Sequence, residues 1–403
     1  MKTTLALICL CGTISFTSCS QKSTNTSGSQ LTSVETKDPN ADYKPAFEGQ
    51  TRVRAIETKT PYKFEVLTEK LDFPWGVKTL PDGRLLITER EGTFRIVDAS
   101  GNVSEKIIKG VPEVNSKGQG GLLGVTIAPD FAQSRMIYWT FAEDISGGTV
   151  TSAAKGRVAD DEKSIEGATV IYRAIPSYNG TLHYGGRILL DKDGSLYVST
   201  GERSDKVTRP QAQETDSGLG KIVHITTNGE PIVDGPFAGK ARPELFTYGH
   251  RNVQGLAVHP ETGDLWSNEF GPRGGDEVNR IIAGKNYGWP TITYGIEYAG
   301  KQVGNAIQQK EGMEQPVYYW DPSVSPSGMT FYSGNAIPEW KDNLFIGTLS
   351  GLHIIRLDIK NNKVVGEERL LSDEIQRFRD ITQGGEALYT VTDQGRLYRI
   401  SKK

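Results

Sequence analysis

The sequence predicts an all-β fold, a six-bladed β-propeller with four-stranded antiparallel blades. Three observations carry this. One hairpin pattern recurs six times along the chain. No long amphipathic helical period interrupts it. Glycine, 46 of 403 residues, stands above its usual share of roughly 7%, and aromatics reach 9%, as in turn-rich β proteins.

Each copy joins two alternating apolar runs through turn residues. The first runs Trp75–Leu80, turns at Pro81-Asp82-Gly83 and returns at Leu85–Ile87. The second is Leu123–Ala128, Pro129-Asp130 and Met136–Phe141. The third is Arg187–Leu190, Asp191–Gly194 and Leu196–Thr200. The fourth is Gly255–Val258, Pro260–Gly263 and Leu265–Asn268. The fifth is Met329–Tyr332, a loop through Pro338, then Asn343–Gly347. The sixth is Asp380–Thr382, Gly384-Gly385 and Ala387–Val391. Six copies over residues 62–403 give about 57 residues per unit, room for a blade of ~40–50 residues plus a long loop. The last run, Gly395–Ile400, is expected to pair with Phe64–Leu67 and so close the ring, which removes open sheet edges.

The N-terminus reads as an address. All three cysteines (Cys9, Cys11 and Cys19) fall in the first nineteen residues, so no disulfide framework or zinc cluster can be built later. Lys2, the apolar run Leu5–Phe16 and the box Phe16-Thr17-Ser18-Cys19 predict a lipoprotein signal peptide over residues 1–18 with Cys19 as the lipidated residue. Residues 19–61 are polar and aperiodic and read as a flexible tether. Together these place residues 62–403, the propeller, at the cell envelope, facing the periplasm or exterior. The formal net charge of −3 carries no nucleic-acid footprint.

In a propeller, functional residues come from loops far apart in sequence. Five loops stand out. Gly118–Gly124 (GQGGLLG) allows close backbone approach to a ligand. Leu182–Arg187 (LHYGGR) presents His183, a candidate proton acceptor near pH 7. Tyr248–Gly255 (YGHRNVQG) is rich in donors suited to anionic or carbonyl oxygens. Glu269–Glu277 (EFGPRGGDE), with Asn286–Pro290 (NYGWP), mixes carboxylates and loop carbonyls, the oxygen ligands that Ca²⁺ takes. In Arg377–Asp380 (RFRD), two arginines two apart on a strand share one face, a clamp for carboxylates.

These motifs, with Trp320–Met329 (WDPSVSPSGM) and in this order, resemble the soluble PQQ-dependent aldose (glucose-type) sugar dehydrogenases across residues 62–403. That family's fold is a six-bladed propeller. The resemblance implies oxidation of an aldose at its anomeric carbon to the lactone, with PQQ and Ca²⁺ as cofactors. It makes His183 the base and Arg251 the group stabilising charge on the PQQ oxygen. Gln119, Asn252, Ser323, Arg377 and Arg379 would contact PQQ. The carbonyls of Gly271 and Pro272 would hold the cofactor's Ca²⁺, and Glu277 with the Tyr287 carbonyl a second, structural one. Trp320 would pack on the sugar. Two positions depart from the family pattern: Leu182 stands where an Asp precedes the histidine, and Ser350 where a Lys is found. The expected partners are a sugar, an electron acceptor that the sequence does not name, and the membrane through the lipid anchor only. Two alternatives stay open at this point, a Ca²⁺-dependent lactonase-type propeller and a non-catalytic, lipid-tethered binding propeller.

Overall fold

A computed structural model describes Met1 and residues 32–403. The signal peptide, Cys19 and the first part of the expected tether lie outside the described residues. From residue 62 onward six antiparallel sheets follow one another. Blade 1 contains Pro74–Thr79, Leu85–Glu89 and Thr93–Val97. Blade 2 contains Leu122–Ile127, Met136–Ile145, Gly148–Val158 and Ile165–Arg173. Blade 3 contains Gly185–Leu190, Leu196–Thr200, Lys221–Ile225 and Leu245–Tyr248. Blade 4 contains Val253–Val258, Leu265–Glu269, Asp276–Ile281 and Tyr318–Trp320. Blade 5 contains Pro326–Phe331, Leu344–Thr348, Ile354–Lys360 and Lys363–Leu370. Blade 6 contains Phe378–Gly384, Ala387–Thr392, Leu397–Lys402 and Tyr62–Thr68. In blade 1 the fourth place is taken by two isolated bridges, Phe94 to Ile108 and Val97 to Val103.

Each sequence hairpin proves to be the two innermost strands of a blade. Those strands are the most buried, so their apolar runs are the strongest in the sequence. The second hairpin's turn winds into one helical turn, Phe131–Ser134. The ring closes as expected, with Phe64 opposite Ile400 and Val66 opposite Tyr398.

The core lies between blades rather than within one sheet. Six apolar clusters each fill the wedge between two neighbouring blades. In the wedge of blades 1 and 2, Phe94 meets Trp139 edge-on at 5.8 Å, an arrangement that adds about 0.5–1.5 kcal/mol beyond area burial. Inner strands crowd the axis. At Gly328 a Cβ would sit 1.8 Å from Asp380 Oδ1, so only glycine fits there.

The N-terminal segment corrects one expectation. Residues 32–61 are not a loose tether but a strap belonging to the same compact unit as the propeller. Ala55 bridges Glu367 at the outer edge of blade 5. Thr58 gives its N–H and hydroxyl to Glu368 (2.8 and 2.7 Å). Gln50 donates to the Pro316 carbonyl at 2.9 Å, and Val53 enters the wedge of blades 4 and 5. The strap is polar because it is held by hydrogen bonds to sites about 280 to 310 residues away, which leave no periodic pattern in its sequence.

Candidate active site

In an antiparallel blade the start of the first strand and the end of the second lie at the same mouth of the ring. The candidate residues occupy those positions. Gln119 and His183 precede blades 2 and 3, Arg251 and Asn252 precede blade 4, and Arg377 and Arg379 open blade 6. Gln119, His183, Arg377 and Arg379 line a cavity of ≈ 320 Å³ together with Trp75 and Gln254, while Arg251 and Asn252 lie behind its walls, bonded to Gly271 and Gly185. A second cavity of ≈ 380 Å³ shares Phe270, Tyr298 and Ser325 with it and contains Gly271, Pro272 and Ser323. A larger cavity, ≈ 500 Å³, opens at the far ends of the inner strands, near Leu190, Val258 and Gln383. It holds none of the candidate residues, which gather at the opposite mouth. Between the two mouths lies the buried pair Arg187–Asp380, at 2.8 Å. The Arg187 guanidinium stacks at 4.4 Å on Trp75, which floors the site.

His183 is 4% exposed and held from three sides. Its backbone adopts a left-handed φ of 48°, uncommon for a non-glycine residue. Its N–H donates to Gln119 Oε1 at 2.8 Å. Its Nδ1 lies 2.6 Å from Glu202 Oε1, so Nδ1 carries the hydrogen and Nε2 keeps its lone pair for the cavity. Gly201 makes this possible, since a Cβ there would lie 2.0 Å from the His183 carbonyl. Burial first, and then the charge of Arg251, push the imidazole pKa down to about 4 against the opposing pull of Glu202. The ring is therefore neutral at pH 7 and able to accept a proton. An NMR titration of the apoprotein should find the His183 midpoint near 4. A midpoint at or above 6.5 would contradict the described environment. Between those values the unfolded chain binds the extra proton, so this histidine lowers stability as pH falls from 6.5 toward 4 and has no such effect above.

Arg251 is fixed by its neighbours. Its N–H donates to Glu269 Oε2 at 2.6 Å and its Nη1 to the Gly271 carbonyl at 2.7 Å. The same Glu269 holds His250 Nδ1 at 2.8 Å, and His250 stacks on Tyr287 at 4.7 Å. Asn252 is fully buried; its Oδ1 accepts from Gly185 N at 2.9 Å. Its Nδ2 and the Nε of Arg251 have no partner among the described residues. Such buried unpaired donors are costly unless a ligand satisfies them.

Arg377 and Arg379 do share a face, and both reach one carboxylate, Asp393, each through Nε at 2.8 Å. The two guanidiniums hold Asp393 below its usual pKa against the effect of burial. With Arg90 the cavity wall carries three guanidiniums and one carboxylate. This surplus of positive charge fits an anion bearing several carboxylates, as PQQ does. The Gly271 carbonyl spends one lone pair on Arg251 and keeps the other. The Pro272 carbonyl accepts no hydrogen bond among the described residues, so two hard oxygen donors are available to a Ca²⁺. Ser323 reaches the same cavity and accepts from Gly274 N at 2.8 Å. Glu277 is half-buried near Glu269, and burial and that charge raise its pKa well above normal. Asn279 Nδ2 contacts it at 3.1 Å while Asn279 Oδ1 stays unpaired. This acid-rich group, next to the His250–Tyr287 stack, fits a structural cation.

One candidate does not belong to the site. Trp320 is 3% exposed inside the wedge of blades 4 and 5, and its indole donates to Glu367 at 3.2 Å. It lines neither cavity and cannot pack on a sugar. Sequence reasoning also missed Glu202 and Asp393, and it read Glu269 only as a carboxylate of a Ca²⁺-type loop. Glu269 ends a second strand, and Asp393 and Glu202 lie just beyond one, where an acid reads as an ordinary turn residue. Arg203 was missed as well. It donates to the carbonyls of Leu182, Thr149 and Gly180 (3.0, 3.0 and 2.6 Å) and so braces the loop that carries His183.

Fold and site together define a β-propeller whose axial mouth sets a neutral histidine beside an arginine-lined cavity. The chain belongs to the Glucose / Sorbosone dehydrogenase family, whose model matches residues 71–399, and so stands among the sugar dehydrogenases. It is 42% identical over 347 residues to the aldose sugar dehydrogenase YliI of Escherichia coli, covering 84% of this chain and 92% of that one. It resembles the apo-form crystal structure of the soluble aldose sugar dehydrogenase from Escherichia coli, with TM-score 0.80 and 41% identity over 85% of this chain and all of that one. It also resembles the PQQ-bound form of an aldose sugar dehydrogenase from Streptomyces coelicolor, with TM-score 0.70 and 29% identity, covering 86% and 99% of the two chains.

Proposed function

We propose that the protein oxidises an aldose at its anomeric carbon to the lactone, with PQQ as the electron acceptor and Ca²⁺ beside it. The observation that carries this reading is the His183–Glu202 pair at 2.6 Å facing a cavity walled by Arg377 and Arg379. When bound, PQQ supplies a quinone that takes up the hydride, and Ca²⁺ a Lewis acid that polarises it.

The chain's own residues do the rest. His183 Nε2 takes the proton of the anomeric hydroxyl as the carbonyl of the lactone forms. Glu202 keeps the imidazole in the working tautomer and balances the imidazolium that results. Arg251 faces the charge that develops next to the Gly271 carbonyl. Arg377 and Arg379 hold carboxylates of PQQ, Gln119 and Asn252 shape its bed, and Gly271 and Pro272 offer oxygens to its Ca²⁺. Leu182, an exposed apolar side chain beside the base, gives this mouth a different contact from a glucose-type aspartate, so the preferred aldose need not be glucose.

A fluorescence titration with PQQ and Ca²⁺ tests the cofactor part. Arg379→Ala should weaken PQQ binding roughly 10- to 100-fold while the rate at saturating PQQ falls far less. An unchanged titration would remove Arg379 from the cofactor's contacts.

A further inference from the structure

We propose that Arg273, held in place by Asn40 of the N-terminal strap, is a carboxylate-contacting residue of the site. This rests on the proposed function, because the carboxylate would belong either to the cofactor or to the sugar.

Arg273 follows Pro272 and lines the second cavity together with Asn40, Gly271, Pro272 and Ser323. Its side chain is exposed to solvent and anchored at one nitrogen. Nε donates to Asn40 Oδ1 at 2.9 Å. Asn40 is itself pinned, giving Nδ2 to Asp321 Oδ1 at 2.7 Å and its N–H to both Asp321 oxygens at 3.0 and 2.9 Å. Ala41 N adds a further donor to Asp321 at 3.2 Å. The strap is fastened on either side of this point by Arg52, which donates to the Asp321 carbonyl at 2.8 Å, and by the Glu35–Arg369 pair at 2.8 Å.

Asp321, the nearby acid, is thus occupied by strap donors. No carboxylate oxygen lies within ion-pair distance of Arg273 among the described residues. Both Nη groups are left without a protein partner among the described residues. The strap thus anchors one guanidinium nitrogen, while the charge has no counter-ion among the described residues. Ser350 adds no charge to the cavity; its hydroxyl pairs with Ser325 at 2.7 Å. Among the described residues lining this cavity, Arg273 is the cation without an acidic partner, with the planar two-donor edge that matches a carboxylate.

Arg273→Gln and Asn40→Ala in the full-length protein test this, with wild-type melting temperature as the folding control. The readouts are the PQQ Kd from tryptophan fluorescence quenching, and kcat/KM for a neutral aldose against the corresponding uronic acid. If the carboxylate is the cofactor's, Arg273→Gln raises the PQQ Kd about tenfold and Asn40→Ala raises it less, with the uronate-to-aldose ratio unchanged. If it is the sugar's, the PQQ Kd stays constant and the ratio falls about tenfold. Both quantities unchanged within twofold would overturn the inference while leaving the function standing. Failure of the wild-type protein to bind PQQ would overturn both.

Discussion

His183→Ala should lower kcat by about 10³- to 10⁴-fold at saturating aldose, near the upper range for loss of a positioned general base, while PQQ binding stays close to wild type. The expectation follows from the geometry. Nδ1 is committed to Glu202, Nε2 faces the cavity, and the depressed pKa keeps the ring neutral at working pH. Glu202→Gln should fall between the two proteins, since an amide can still accept from Nδ1–H but cannot balance an imidazolium. A His183→Ala enzyme with more than a tenth of wild-type kcat would remove His183 as the base. A parallel loss of PQQ affinity would instead mark it as a binding residue.

The second large effect concerns stability. Asp380→Ala should destabilise the propeller by about 3–5 kcal/mol, the usual cost of stripping one partner from a buried ion pair. Arg187 and Asp380 are each 7% exposed at the side chain and join blade 3 to blade 6 across the axis. Asp380 also accepts from Val77 N of blade 1 at 2.9 Å, and Arg187 Nε donates to the Gln254 carbonyl of blade 4 at 2.9 Å. One Arg187 nitrogen already lacks a partner, so removing Asp380 leaves the guanidinium nearly uncompensated. Urea unfolding should show a lower midpoint at an unchanged slope. The double variant Arg187→Met, Asp380→Leu should lose less than Asp380→Ala alone, because no buried charge is then stranded. A loss below 1 kcal/mol for Asp380→Ala would show that the pair does not brace the axis.

The sequence made some of this legible and hid the rest for physical reasons. The inner hairpins were readable because both faces of those strands are buried, and Phe64 could be matched to the last strand because ring closure requires a partner there. The strap was not readable. Asn40, Arg52 and Thr58 are polar, and their order comes from single long-range bonds to Asp321 and Glu368. The loop motifs led to His183, Arg251, Asn252 and the arginine pair, which the fold does bring to one mouth. They did not lead to Glu202 or Asp393, because a carboxylate that orients a catalytic group has the same local sequence as one that ends a hairpin. Trp320 shows the reverse error. A tryptophan within a functional motif was expected to face the ligand, whereas the pairing of Asp276 with Trp320 at the edge of blade 4 turns it into the wedge.

The central claim is that this mouth passes a hydride from a sugar's anomeric carbon to PQQ with His183 taking the proton. It is tested most directly by mixing the apoprotein with PQQ, Ca²⁺, a panel of aldoses and a two-electron dye, and following dye and product together. The predicted result is one lactone formed per dye reduced for at least one aldose, with no turnover when PQQ is omitted. Bound PQQ with no lactone from any aldose in the panel would contradict it.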